Sequence, residues 1–281
     1  MPPRSDPVWP PAPEPLPLPV VDNHTHLDMS LDDAALSVPE QIARATAVGV
    51  PRMITIGCDL PAARWTDAIV REHDALLGGV AIHPNATPRL AADGLLEDAL
   101  AEIHALLAHN ERLRVVGETG LDFFRTGPEG HEVQRHSFRA HIAIAKELDR
   151  VLQIHDRDAH AEVLAVLDEV GAPERTVFHC FSGDAEMAQH CVERGWYVSF
   201  AGTVTFRNAG GLRAALSKVP LDRVLVETDA PYLTPHPFRG RPNAPYLVPI
   251  TMRVMAKVLG VDLELACRAV ARNTDAVYGP G

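Results

Sequence analysis

Short apolar runs alternate with helical patterns along most of this chain, and that alternation restricts its fold more than any other feature. Eight runs stand out, at 20–22, 52–57, 77–82, 113–117, 150–154, 176–178, 196–200 and 223–226. Because most are apolar throughout instead of alternating with polar residues, they are typical of parallel strands covered on both faces. Strand followed by helix, repeated eight times, predicts an α/β fold of the TIM (β/α)8 barrel type.

The segments between the runs have the spacing of amphipathic helices. Such patterns cover 39–48, 95–107, 131–148, 159–170 and 184–194, and two further helices are predicted between Val248 and Tyr278. An open doubly wound sheet is the alternative architecture, but no Gly-x-Gly-x-x-Gly, its commonest fingerprint, follows the first run. The 281 residues suffice for one barrel of roughly 250 residues with an extension.

The first nineteen residues differ from the rest because nine of them are proline. Proline lacks a backbone N–H and fixes φ, so such a segment favours polyproline II and cannot enter the interior of a sheet. We therefore divide the chain into an extended Pro-rich tail, 1–19, and a single barrel domain, 20–281. For residues 1–19 the sequence leaves two roles open, a passive tail and a docking ligand.

Charge and cysteine content narrow the class of protein. The formal net charge of −11 argues against a broad basic surface for nucleic acid, although local charge can differ from the total. The four cysteines form no Cys-x-x-Cys pair, which predicts reduced thiols in a cytoplasmic protein. No apolar run is long enough to span a membrane, and no secretory signal is visible. We expect a monomer or small oligomer without a membrane partner.

Histidine and carboxylate residues follow the predicted strands. They are His24 and His26 after the first strand, His83 after the third, Glu118 after the fourth, His155 after the fifth, His179 after the sixth and Asp229 after the eighth. The carboxyl ends of barrel strands meet at one mouth, where active sites of this fold lie. Neutral imidazole and carboxylate are the usual ligands of zinc and similar divalent ions. The prediction of a metal site rests on the placement of all these residues after strands of one barrel, and not on any single histidine.

The spacing of these residues suits two ions. His24 and His26 are two apart, so both side chains can point to the same side of a strand. Glu118 has two oxygens and can bridge two cations; His155 and His179 would complete one position and Asp229 the other. Two metals roughly 3.5–4 Å apart can activate a water and stabilise both the attacking and the leaving oxygen. Zinc, manganese and magnesium all remain open as the metal.

The motifs around these residues resemble the TatD family of metal-dependent deoxyribonucleases. They are Asp22–Leu27, Ala81–Pro84, Gly117–Asp122, Ile154–Ala159, His179–Gly183, Glu227–Leu233 and Asn273-Thr274, which together span almost the whole chain after the tail. The resemblance implies a TIM barrel, two divalent cations and a nucleic-acid substrate, in the first place DNA, cleaved at phosphodiester bonds and often from the 3′ end. It implies that one ion is bound by His24, His26, Glu118 and Asp229, that the other is bound by Glu118, His155 and His179, and that His83 and Arg157 contact substrate.

We interpret Asp229 and Glu118 as the catalytic residues, with Asp229 taking a proton from the metal-activated water. The guanidinium of Arg157 can hold a phosphate through two hydrogen bonds, although a surface ion pair with Asp156 or Asp158 is an alternative role. Four further arginines in predicted mouth loops either line a nucleic-acid channel or are solvated loop charges: Arg125, Arg207, Arg239 and Arg241.

Other functions on the same barrel remain as alternatives. Relatives of this family that hydrolyse the ester of D-aminoacyl-tRNA would share the fold and metals, so the site alone does not separate them from nucleases. Phosphotriesterase-like and amidohydrolase enzymes often bridge their metals with a carboxylated lysine. The three lysines here, Lys146, Lys218 and Lys257, all fall away from strand ends, which disfavours that reading. A barrel without catalytic activity would be expected to lack ligands, yet all six are present.

Overall fold

The computed structural model describes residues 8–30 and 35–280. Eight parallel strands form one sheet in chain order. They are β1 Val21–Thr25, β2 Arg52–Gly57, β3 Leu76–Val80, β4 Leu113–Asp122, β5 Val151–Arg157, β6 Thr176–Phe178, β7 Tyr197–Phe200 and β8 Val224–Val226. The two ends of the sheet meet where Thr25 bridges Ala230 and where the Asp229 N–H donates to the His24 carbonyl at 2.9 Å. The predicted TIM barrel is therefore confirmed.

Helices follow the strands and cover the outside of the barrel. They are α1 Val38–Ala47, α2 Leu60–Glu72, α3 Thr87–Ala92, α4 Leu96–His109, α5 Pro128–Glu147, α6 His160–Val170, α7 Ala185–Glu193, α8 Gly210–Leu216, α9 Val248–Leu259 and α10 Leu263–Tyr278. Short 3-10 turns occur at Pro84–Ala86, Gly202–Thr205 and Pro245–Leu247. Every helix that periodicity predicts is present, and α2, α3 and α8 are additional. No helix in the described ranges is both long and apolar enough to cross a membrane.

Two apolar layers hold the barrel, as the alternation of side chains along a strand requires. On β2, Ile54 and Ile56 belong to the inner cluster, whereas Met53 belongs to the larger cluster shared with the helices. Tyr278, at the end of α10, is fully buried within the inner cluster. Helix α10 therefore closes the barrel at the amino ends of the strands and leaves the carboxyl ends open.

The Pro-rich segment packs on the barrel over its described part, residues 8–19, without forming a helix or strand. Leu16 is buried, and its N–H donates to the Val48 carbonyl at 3.0 Å. Trp9 packs against Tyr246, whose hydroxyl donates to the Pro10 carbonyl at 2.6 Å. Apolar anchors thus hold this part of the segment against the outside of the barrel; residues 1–7 of the predicted tail lie outside the described residues.

Candidate metal centre at the carboxyl end of the barrel

The structure brings the six predicted ligands to one place, the open mouth of the barrel. A cleft of about 1340 Å³ lies there, and its walls include His26, Glu118, His155, His179 and Asp229. His24 lies directly beneath and is fully buried. The six side chains come from the carboxyl-terminal halves of β1, β4 and β5 and from the residues that follow β1, β6 and β8, which the sheet holds around the same opening.

Glu118 lies at the centre of this group, and its two oxygens face different histidines. Oε1 is 3.5 Å from His26 Nε2 and 3.8 Å from His24 Nε2. Oε2 is 2.8 Å from His179 Nε2 and 3.0 Å from His155 Nδ1. The carboxylate side chain is 7% exposed, so solvent contributes little to its neutralisation. One carboxylate therefore joins two separate sets of donors.

Asp229 completes the set around His24 and His26. Its Oδ1 is 3.4 Å from His26 Nε2 and 3.7 Å from His24 Nε2. The residue has a φ of 54°, in the left-handed region that aspartate tolerates better than most residues. Its N–H bond to the His24 carbonyl, which also closes the barrel, fixes this turn. Barrel closure and placement of the carboxylate therefore depend on the same contact.

The tautomers of His24 and His26 indicate that a cation belongs between them. His24 Nδ1 lies 2.7 Å from Gln153 Oε1, and His26 Nδ1 lies 3.0 Å from the Ile56 carbonyl. The Gln153 oxygen is the atom on this side, because its Nε2 donates to the Asn23 carbonyl. Both Nδ1 atoms must therefore donate, which leaves a lone pair on each Nε2 of the neutral rings. These two Nε2 atoms are only 3.2 Å apart, an unfavourable contact unless a positive charge lies between them.

Distances between the donors also fit an ion. Four donors held about 2.1 Å from a tetrahedral zinc would lie about 3.4 Å from one another. The separations among His24, His26, Glu118 and Asp229 given above run from 3.2 to 3.8 Å. The residues present therefore fit a divalent cation at this position.

The second donor set has its own supporting carboxylates. His179 Nδ1 lies 3.3 Å from Glu227 Oε1, and His155 Nε2 lies 3.3 Å from Asp122 Oδ2. Such outer carboxylates fix the tautomer and orientation of metal-binding histidines. His179 Nε2 is buried and makes no hydrogen bond, although Glu118 Oε2 is 2.8 Å away. A nitrogen in this position is suited to a cation.

Three supporting residues escaped prediction from sequence: Gln153, Asp122 and Glu227. Asp122 and Glu227 carry a signal in hindsight, because each lies an even number of residues from a predicted ligand on the same chain segment. Gln153 is a fully buried amide in an otherwise apolar strand. A polar residue in such a run needs a hydrogen-bond partner, and that need was the signal for a role at the site.

The pKa values of two histidines show that the neighbouring carboxylates dominate the electrostatics of this site. Burial lowers the pKa of His26, but Asp229 and Glu118 outweigh burial and raise that pKa to about 10. Burial opposes charge on His179 as well, yet Glu118 and Glu227 raise its pKa to about 10. Both rings therefore favour their protonated form, and a cation bound to either ring would displace a proton.

His83 approaches the second donor set from the side. Its Nε2 is 3.8 Å from Glu118 Oε2, and its ring meets that of His155 edge to face at 4.5 Å. Nδ1 accepts the Asn85 N–H at 3.1 Å, so the proton of the neutral ring is on Nε2. Burial lowers the pKa of His83 to about 3, which keeps the ring neutral. His83 therefore offers an N–H donor to the cleft.

Arg157 lies on the cleft wall with its guanidinium stacked on the Phe124 ring at 4.0 Å. Within the described ranges it makes no ion pair with Asp156 or Asp158; Asp156 instead pairs with His160 at 2.8 Å. The five N–H groups of Arg157 thus remain available to an anion in the cleft.

Of the four arginines considered for a nucleic-acid channel, one lines the cleft. Arg125 does so, whereas Arg239 stacks on Phe206 at 4.0 Å and Arg241 lies over Phe238 at 5.5 Å, outside the cleft lining. Arg207 is also outside it. None of the three lysines lines the cleft, so none is placed to bridge metals there as a carboxylated lysine would.

A TIM barrel that gathers imidazole and carboxylate donors at the carboxyl ends of its strands defines a metal-dependent hydrolase. The family model of TatD related DNases matches residues 21–279, nearly the whole barrel. The chain belongs to the TatD family.

Individual relatives agree with this assignment. The uncharacterized metal-dependent hydrolase TatD of Mycobacterium tuberculosis is 42% identical over 267 residues, which cover 93% of this chain and 98% of that protein. The 3′-5′ ssDNA/RNA exonuclease TatD of Citrobacter rodentium is 32% identical over 247 residues, covering 85% and 91%. The crystal structure of the TatD homolog YJJV from Escherichia coli superposes with a TM-score of 0.83 at 25% identity, covering 93% and 98%.

Proposed function

We propose that this chain is a two-metal phosphodiesterase that removes nucleotides from the 3′ end of single-stranded DNA or RNA. The observation that carries the proposal is the pair of Glu118 oxygens, each facing its own set of histidines, in a cleft that Arg157 also lines. Two relatives at 32% and 35% identity are named as 3′-5′ ssDNA/RNA exonucleases, which supports this substrate and polarity.

The residues present would hold two cations in the manner that the family resemblance implies. His24, His26, Glu118 and Asp229 would bind one, and Glu118, His155 and His179 the other. Two such ions would lower the pKa of water and stabilise negative charge on the phosphoryl oxygens. Zinc, manganese and magnesium are the candidate ions. With all four cysteines free, we place the reaction in the cytoplasm.

The chain's own side chains supply the remaining parts of the reaction. The Asp229 carboxylate would take the proton from the attacking water, because it faces the same space as the donors of the first set. Arg157 would hold two nonbridging oxygens of the scissile phosphate through its planar fork. His83, which lines the same cleft, would donate its Nε2–H to a third oxygen. All three residues line the same cleft, which supports their action on one bound phosphate.

An acidic protein can bind a polyanion at such a site. The net charge of −11 is spread over the whole chain, whereas bound cations would make the mouth locally positive. Substrate affinity should therefore depend on metal occupancy more than on surface charge.

The test is a metal-dependent assay on a panel of nucleic acids. Protein stripped with chelator and reloaded with zinc, manganese or magnesium is mixed with 5′-labelled single-stranded DNA, single-stranded RNA, duplex DNA and a D-aminoacyl-tRNA. We expect a ladder shortened from the 3′ end on single strands. Asp229→Asn should lower kcat by about 10²- to 10⁴-fold, as expected for loss of a general base.

The partly exposed His104, paired with Glu147 on the outside of the barrel, gives a matched control. His104→Gln should retain full activity. Cleavage of the aminoacyl ester with all nucleic acids left intact would contradict the nuclease function while leaving the metal centre in place.

A further inference from the structure

Cys58 places a thiol against the predicted bridging carboxylate. The residue directly follows β2 at the mouth of the barrel and lines the cleft. Its Sγ lies 3.2 Å from Glu118 Oε1 and 3.7 Å from His26 Nδ1. His26, Cys58 and Glu118 form a group whose donor atoms all lie within 4.8 Å of one another. The reactions assigned above give this thiol no role.

We propose that Cys58 is a thiolate ligand of the cation bound by His24 and His26, so that this position takes a thiophilic ion of the zinc and cadmium class. The proposal rests on the metal centre proposed above and narrows the choice of its metal. Soft thiolate ligands favour zinc and its heavier relatives, whereas magnesium takes oxygen ligands almost exclusively.

The geometry places Cys58 with the donors of the first cation, which include His24 and His26, and not with His155 and His179, the donors of the second. Cys58 lies on the Oε1 side of Glu118, together with His24 and His26, while His155 and His179 lie on the Oε2 side. The sulfur-to-Oε1 distance of 3.2 Å falls within the 3.2–3.8 Å that separates the other donors of this position. The contact with Glu118 Oε1 carries this assignment, since the 3.7 Å contact with His26 is to Nδ1, the nitrogen that faces the Ile56 carbonyl.

Cys58 has a simpler role available in the metal-free protein, where its S–H donates to Glu118 Oε1. A cation bound to this oxygen would occupy the direction in which the proton points. Coordination then exchanges the thiol proton, released to solvent, for a metal–sulfur bond. The two roles differ in one measurable respect, which is whether sulfur is bonded to the metal.

Cobalt substitution measures that bond directly. Full-length protein stripped of metal is titrated with Co²⁺, and its visible and near-ultraviolet spectra are recorded. Visible ligand-field bands report that Co²⁺ is bound, and a near-ultraviolet charge-transfer band reports a thiolate ligand. We expect both in the unaltered protein, and we expect Cys58→Ser to keep the first and lose the second.

Cys180 provides a matched control, because it also lines the cleft yet falls in none of the three-donor groups found in the described part of the chain. Cys180→Ser should retain the charge-transfer band. In addition, Cys58→Ser should lower the affinity for Cd²⁺ by about tenfold or more, since even outer partners of metal ligands contribute about 10–100-fold to metal affinity. It should change the affinity for Mn²⁺ much less.

Two results would overturn the proposal. Ligand-field bands without charge transfer in the unaltered protein would leave the metal centre standing and reduce Cys58 to a hydrogen-bond donor. A charge-transfer band that disappears in Cys180→Ser, and not in Cys58→Ser, would show that Cys180 is the thiolate ligand. Absence of any Co²⁺ spectrum would refute the metal centre itself, a distinct failure.

Discussion

Substituting Gln153 should perturb the metal site without removing any candidate ligand, because this residue contacts His24 and is not itself a predicted ligand. Its fully buried amide makes three contacts: Oε1 with His24 Nδ1 at 2.7 Å, and Nε2 with the Asn23 carbonyl and the Tyr278 hydroxyl at 3.0 Å each. Gln153→Leu keeps the approximate volume and removes all three bonds. It also frees His24 to adopt the other tautomer, with its proton on the nitrogen that faces the first metal position.

The expected size of the effect follows from those contacts. Losing an outer partner of a metal-binding histidine costs roughly 10- to 100-fold in metal affinity, or about 1.4–2.7 kcal/mol. Each buried polar group left unpaired costs about 1–3 kcal/mol of stability, and relaxation will hold the total for Gln153→Leu to about 2–4 kcal/mol. The variant should therefore fold, less stably, and bind metal weakly.

Tyr278→Phe separates the two effects, because it removes one bond of the same amide at the far, closed end of the barrel. This variant should lose about 1 kcal/mol of stability and keep its metal affinity. Calorimetric titration with Zn²⁺ and urea unfolding measure the two quantities. Equal metal affinity in Gln153→Leu and the unaltered protein, or an equal loss in Tyr278→Phe, would refute the reasoning.

Three further outcomes are expected. Arg157→Lys should lower kcat/KM roughly tenfold or more on a single-stranded substrate, because lysine cannot form two parallel bonds to a phosphate, and an unchanged value would remove this residue from substrate binding. The folded pKa values of His26 and His179, raised to about 10, lie above the usual value of about 6.5, so the stabilisation that these two rings give metal-free protein should be complete below pH 6.5 and be lost as pH rises through 10. A urea series that shows the free energy of unfolding rising between pH 7 and 10 would contradict this. Gly120→Ala would place a Cβ 2.1 Å from the His155 carbonyl oxygen, so it should destabilise the protein by about 1–3 kcal/mol and weaken metal binding. Gly94→Ala, also at positive φ but facing open space, should leave metal binding intact; thermal unfolding and metal titration measure the two effects.

Sequence patterns predict most of the strands because apolar runs are required wherever both faces are buried. They predict the carboxyl ends less well. The run at 113–117 continues as β4 to Asp122, and the run at 150–154 continues as β5 to Arg157. At the mouth the strands carry polar site residues, so the apolar signal stops before the hydrogen-bonded strand does.

The candidate ligands are predictable from sequence because their chemistry is restricted: few residue types bind a divalent cation, and each follows one of the predicted apolar runs. The residues that orient them are harder to predict. Gln153 contacts His24 across 129 positions of the chain and Tyr278 across 125, and no local pattern records such pairings. The path of the Pro-rich segment is hidden for the same reason, since Trp9 and Tyr246 meet only in the folded chain.

The central claim is that Glu118 joins two cations at the barrel mouth. Anomalous diffraction from crystals of protein reloaded with zinc or manganese tests it most directly. We predict two peaks roughly 3.5–4 Å apart, one between His24 and His26 and the other beside His155 and His179, with one Glu118 oxygen on each. A single peak, or peaks away from Glu118, would contradict it.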